Sequence, residues 1–285
     1  MPDTCTIATA SGLRFDAWVD GPESGALVLL LHGFPQARHS WRDVLPALAR
    51  AGYRAAAPDQ RGYSPGARPD PADLANYAYD RLVDDVIELA AALGRGATRF
   101  HLIGHDWGGQ VAWGVAHRHP ARLASLAILS RPHPAAFVAA LERDPEQPHR
   151  SRHHRNFLDL ETGARLLADD GKLLRETLAA AGVPAAAIAE YLSVLGTPRA
   201  LEAALAWYRA REGLRVALGP IAVPTLYIWG DQDQTVGRMA AEGTAAFVSG
   251  PYRFETLPGI GHYSTDEAPA RVTELLLEHL ARHPA

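Results

Sequence analysis

Short apolar runs alternate with longer amphipathic ones along most of the chain, and that alternation constrains the fold more than any other feature. ALVLLLHG (26–33), YRAAAPD (53–59), TRFHLIG (98–104), LASLAILS (123–130) and PTLYIWG (224–230) read as strands buried on both faces and bounded by turn residues. Between them, 40–52, 79–94 and 108–120 read as helices; in the second, Leu82, Val83, Val86, Ile87, Leu89 and Ala90 fall on one face. Such alternation predicts an α/β chain, a mostly parallel twisted sheet with helices on both faces. TIATA and LRFDAWV near the start predict an antiparallel hairpin.

The alternation stops near Arg131. From there to about Gly219 no strand signal appears, and helix-like segments run around 155–168, 171–181, 185–195 and 199–212. Strand signals return at 224–230 and 251–257, followed by an amphipathic helix, 268–283. The expected organisation is a core of 1–130 and 220–285 with a helical cap, 131–219, inserted between the two parts.

Bulk properties exclude several classes of protein. A net charge of -4 gives no reason to expect a nucleic-acid partner. The longest apolar run, 26–31, is too short to cross a bilayer. One cysteine, Cys5, excludes an internal disulfide and fits a reducing compartment. The opening residues MPDTCTIATASG lack a basic and an apolar signal region. A cytoplasmic protein, monomeric or homodimeric and free of membrane, is the expectation.

The chemistry starts at GHDWGG (104–109), between a strand and a helix. Small residues around a sharp strand-to-helix turn push its central side chain out at the top of the sheet. Gly104 and Gly108 leave room for the backbone, and Gly109 eases helix packing. Many hydrolases display a serine here; this chain displays Asp106. A carboxylate nucleophile attacks sp³ carbon and forms an alkyl ester. Aspartate is also a good helix N-cap, so the motif alone admits a structural role. HGFP (32–35) follows the third strand, where a backbone N–H of an oxyanion hole is expected. The donors would be Phe34 and Trp107, with Pro35 shaping the turn. LPGIGHYSTDEAP sets His262 just past the last strand, where a base could reach the turn. WGDQDQTVG offers Asp231 and Asp233 to orient that histidine, and Asp233, deeper in the loop, is preferred. LSRPHP, after the preceding strand, holds no carboxylate.

HGFPQ, SWRDVLPALARAGYR, PDQRGYSPGARP, GHDWGGQVAW and GIGH together resemble the α/β-hydrolase-fold epoxide hydrolases, with haloalkane and haloacetate dehalogenases as relatives. The resemblance covers about 25–130 and 222–283. It implies Asp106 as nucleophile, His262 as base, Asp233 as acid, no cofactor and no metal, and a small-molecule epoxide as substrate. It also implies two cap side chains, usually tyrosines, that protonate the epoxide oxygen. ALAWYRA (204–210) puts Tyr208 in one role. HHRNF puts His153 in the other, with Phe157 four residues on, a departure that also resembles the halide-binding histidine and tyrosine of fluoroacetate dehalogenases. His153 lies in a basic run, HRSRHHR, that equally suits a solvated surface.

Three features weigh against dehalogenation. Phe34 stands where haloalkane dehalogenases usually carry Asn or Glu. Trp107 and Gln110 stand where haloacetate dehalogenases resemble an arginine pair that clamps the substrate carboxylate. A dehalogenase and an inactive ligand-binding homologue remain the alternatives. Candidate pocket residues are His32, Pro35, Phe137, Phe157 and Trp207.

Overall fold

A computed structural model describes residues 3–210 and 216–285. The final two residues of the expected helix 199–212 lie outside them. Eight strands form one sheet: β1 (Asp3–Ala8), β2 (Arg14–Asp20), β3 (Leu27–Leu31), β4 (Arg54–Pro58), β5 (Phe100–His105), β6 (Leu123–Leu129), β7 (Thr225–Gly230) and β8 (Tyr252–Leu257). Their order is β1-β2-β4-β3-β5-β6-β7-β8. The opening hairpin β1–β2 is antiparallel, β2 pairs antiparallel with β4, and every later pairing is parallel.

The apolar runs divide by residue parity, as strands must. Leu27, Leu29 and Leu31 of β3 face one core with Phe100, Leu102, Leu126 and Ile128. Val28 and Leu30 face the other with Ile103, Ala127, Leu226 and Ile228. Helices α1 (Val44–Arg50), α2 (Tyr79–Ala90) and α3 (Trp107–Arg118) pack on the sheet near the chain start. In α2, Ile87 is only half-buried, and Asp85 takes a place on the buried face. That carboxylate accepts from Arg61 Nε at 2.7 Å and Nη2 at 2.6 Å.

Among the described residues six helices lie between β6 and β7: α4 (Pro134–Arg143), α5 (Gln147–Arg150), α6 (His153–Asn156), α7 (Thr162–Ala180), α8 (Ala185–Leu195) and α9 (Pro198–Arg209). Within this block the sequence predicts no helix before about 155, yet three start there. Pro134 opens α4, where its missing N–H costs nothing, and His133 Nδ1 accepts from Ala135 N. The buried Ala136, Phe137 and Ala140 hold α4 against α10 (Arg238–Gly243). The chain breaks helical geometry at 168–171, where Asp169, Asp170 and Gly171 all have positive φ. α11 (Ser264–Glu267) and α12 (Pro269–Arg282) complete the core.

Candidate active site

The top of β5 delivers Asp106 at φ 48° and ψ -116°, a conformation that costs a non-glycine residue of order 1–3 kcal/mol. Close packing enforces it. A Cβ on Gly104 would lie 2.3 Å from the Gly108 carbonyl oxygen, and one on Gly108 would lie 2.2 Å from that of Leu31. Asp106 occupies the N-cap position of α3, yet its side chain makes no capping bond. Oδ1 accepts instead from the Phe34 N–H, at 3.0 Å, across the sheet top. Gly33 is what allows the approach, since a Cβ there would sit 2.4 Å from Asp106 Cβ. The Phe34–Pro35 peptide bond is cis, and Pro35 is buried.

The other carboxylate oxygen, Oδ2, lies 3.7 Å from His262 Nε2. His262 Nδ1 lies 2.9 Å from Asp233 Oδ2. Asp233 is buried, and its Oδ1 accepts from the backbone N–H groups of Thr235 (2.7 Å) and Val236 (3.0 Å). The Thr235 hydroxyl donates to the same oxygen and lies 2.7 Å from His262 Nδ1. Asp231 stays at the surface of its loop, where Oδ1 accepts from Gly259 N. The backbone around His262 is held from two sides. Glu267 accepts from Gly261 N and Tyr263 N, while the His262 carbonyl accepts from Ser130 Oγ and His105 Nε2. Neither Glu267 nor Thr235 has a sequence signature; both act only through the turn that folds them back on the base.

The electrostatics follow from that geometry. Burial would raise the Asp106 pKa, but the nearby His262, with His105 and Arg131, pulls it well below the ordinary carboxylate value. Burial would lower the His262 pKa, but Asp233 and Asp106 outweigh it and push it up to about 10. At neutral pH the trio is therefore carboxylate, imidazolium, carboxylate. Arg131, at the end of β6, supplies a guanidinium from outside the expected positions. It is buried, donates to Gln110 Oε1 at 2.7 Å and stacks 4.6 Å from the Phe137 ring.

Aromatic side chains roof the carboxylate. Tyr208, on α9, lies 5.1 Å from Trp107, 5.7 Å from Phe34 and 4.9 Å from Phe157, ring to ring. Trp207 lies 5.5 Å from Trp107, and its Nε1–H donates to the Arg61 carbonyl. The buried Tyr208 hydroxyl has its pKa raised, by burial first and then by the Asp106 charge, so it stays protonated. His153, on α6, is half-buried, 6.4 Å from Tyr208 and 5.7 Å from Phe157. Burial lowers its pKa to about 4, so it is neutral. His154 also meets Tyr208, at 5.8 Å, and touches Phe137. His32 stands apart from the roof. It is fully buried, its Nε2 accepts from Gln60 N and its Nδ1 bonds the Gly33 carbonyl, so its ring braces the loop.

A mostly parallel sheet with a strained carboxylate turn after β5, a buried acid after β7 and a histidine after β8 defines an α/β hydrolase. The sequence pattern of the alpha/beta hydrolase fold family matches residues 26–269. An AB hydrolase superfamily protein of Bacillus subtilis is 33% identical over 283 residues, spanning 97% of each chain. Epoxide hydrolase A of Mycobacterium tuberculosis is 33% identical over 317 residues, spanning 96% of each. The solved structure of Bacillus megaterium epoxide hydrolase with an inhibitor aligns with a TM-score of 0.87 at 26% identity, over 97% of this chain and 100% of that one. The chain belongs to the α/β-hydrolase-fold epoxide hydrolase family. Among the described residues no helix is long and apolar enough to cross a membrane.

Proposed function

We propose that the protein opens a small, partly apolar epoxide to a vicinal diol, without a cofactor, through an ester on Asp106. The observation that carries this reading is the division of labour between the carboxylate oxygens. Oδ1 is held by the Phe34 N–H, and Oδ2 is left facing the His262 side of the site. Oδ2 attacks an epoxide carbon, the C–O bond breaks, and Tyr208, aided by neutral His153, gives a proton to the leaving oxygen. The helical block between β6 and β7 serves as a lid that brings both donors to the carboxylate. His262, oriented by Asp233, then takes a proton from water. Water oxygen attacks Cγ of the ester, and the oxyanion forms on Oδ1, against the N–H groups of Phe34 and Trp107. Collapse breaks the bond from Cγ to the ester oxygen, which takes the proton of the added hydroxyl and leaves in the diol. The carboxylate is restored, and the proton on His262 is returned to Tyr208 through solvent. The names of the relatives support epoxides as the substrate class, and the apolar roof of Phe34, Phe157 and Trp207 supports an apolar substituent.

One turnover in ¹⁸O-water, with enzyme in excess, tests the mechanism. Label is expected in the Asp106 carboxylate and absent from the first diol. Label in that diol, with none in Asp106, would mean direct attack by water and would overturn the ester route. Halide release from haloacids faster than epoxide opening, read by an ion-selective electrode, would overturn the substrate class.

A further inference from the structure

The geometry points to Tyr191, Asp266 and Gln36 as positioning residues that make lid seating a condition for efficient ester hydrolysis. This inference rests on the ester route above. Asp266 is buried at the end of the loop that carries His262, and its side chain gathers partners from three places. Gln36 Nε2 donates to Oδ2 at 2.8 Å and Arg42 Nη1 to Oδ1 at 2.6 Å. The Tyr191 hydroxyl reaches both oxygens, at 2.9 and 3.0 Å. Tyr191 belongs to α8 and is fully buried.

The two core loops that meet at this carboxylate serve the same half-reaction. Gln36 lies two residues past Phe34, in a turn closed by Gln36 N on the Gly33 carbonyl. Asp266 lies four residues past His262, and its own N–H bonds the Tyr263 carbonyl. Phe34 N–H holds the oxyanion and His262 activates the water. Asp106, which opens the ring, takes its position from the turn after β5 and meets only the Phe34 loop of the two, and Tyr208 is held by α9 rather than by Asp266. A buried carboxylate must keep its donors, because leaving one unmade costs more than the bond itself contributes. With α8 seated, the Tyr191 hydroxyl completes the set and fixes the spacing of the two loops. With α8 lifted, Asp266 is left to Gln36 and Arg42 alone, and the loops lose their shared anchor. Ring opening needs only the nucleophile and the lid donors; hydrolysis needs the loop spacing.

Rapid-quench experiments on an aryl epoxide, with mass spectrometry of the intact protein, separate the two steps. In Tyr191→Phe the ester should form at the wild-type rate and decay about tenfold or more slowly, the scale of a small misplacement of reacting groups. Ester should accumulate in the steady state, and KM should fall together with kcat. Gln36→Met should reproduce this from the core side without touching the lid, and adding Asp266→Asn to Tyr191→Phe should slow decay no further than Asp266→Asn alone. Unchanged decay, or formation and decay falling by the same factor, would overturn the coupling. His262→Gln is the control. If it traps ester while Tyr191→Phe behaves as wild type, the coupling alone fails. If it traps none, the ester route fails and the coupling with it.

Discussion

Asp233 and Asp106 together raise the His262 pKa, and Asp106→Asn tests the share of Asp106, the nucleophile of the proposed mechanism. His262 Nε2 and Asp106 Oδ2 lie 3.7 Å apart. At an effective dielectric constant near 20 that separation is worth about 4.5 kcal/mol, or about 3 pKa units. Removing the Asp106 charge should therefore lower the His262 pKa from about 10, while Asp233 continues to hold it up. Esterification removes the same charge. On the proposed ester route, the imidazole would be protonated while Asp106 is free and become a better base once the ester has formed. The assay is a pH titration of the imidazole nitrogens by ¹⁵N NMR in wild type and Asp106→Asn, with His262→Gln assigning the resonance. A value still above about 9 in the Asn variant, or an ordinary histidine value near 6.5 in the wild type, would refute the reasoning. Stability carries the same signature. A folded-state pKa above the unfolded one gives a contribution that is complete below about 6.5 and is lost as pH rises through about 10. Wild type should lose stability between those limits, and Asp106→Asn should lose less.

Tyr208→Phe should slow ester formation by about a hundredfold or more, as loss of a general acid does, and leave ester decay unchanged; quenched-flow rates read both steps. Asp85→Ala strands the buried Arg61 guanidinium and should cost about 3–5 kcal/mol in urea denaturation. Asp85→Leu with Arg61→Met removes both charges and should cost less than the single change. Gly33→Ala forces a Cβ against Asp106 and should cost about 1–3 kcal/mol of stability, with a larger loss of activity because the displaced atoms belong to the nucleophile. Melting curves and initial rates measured side by side check it.

Much of the sheet could be read from sequence because strands buried on both faces leave unbroken apolar runs. Strand ends moved by a residue or two, as at β5, which ends on His105, beyond the expected 98–104. Local patterns failed where partners are distant in sequence. Asp85 looks solvent-bound by type and is buried because Arg61 meets it. Arg131 comes to the neighbourhood of Asp106 only because β6 lies beside β5. Asp106 and His262 were legible because turn glycines and strand ends mark them. The Asp233 partners and the Asp266 cluster were not, because nothing local distinguishes an aspartate that will be buried. α4 was missed because PAAFVAALER is a short run whose apolar face is defined by α10, far along the chain. His153 was legible as a position and not as an environment, since its neutrality comes from burial among aromatic rings.

The pairing of β6 with β7, Leu126 against Thr225 through Leu129 against Ile228, joins parallel strands separated by roughly a hundred residues of chain, and loop-closure entropy must be met before that pairing returns any energy. Contacts of such long range slow folding. The six strands from β1 to β6 can form as the chain emerges, whereas β7 and β8, which carry Asp233 and His262 into place, must wait for the whole helical block. On the proposed mechanism catalytic competence is then acquired late in synthesis, and a ribosome stalled within that block would hold most of the sheet, with Asp106 in place and His262 not yet made.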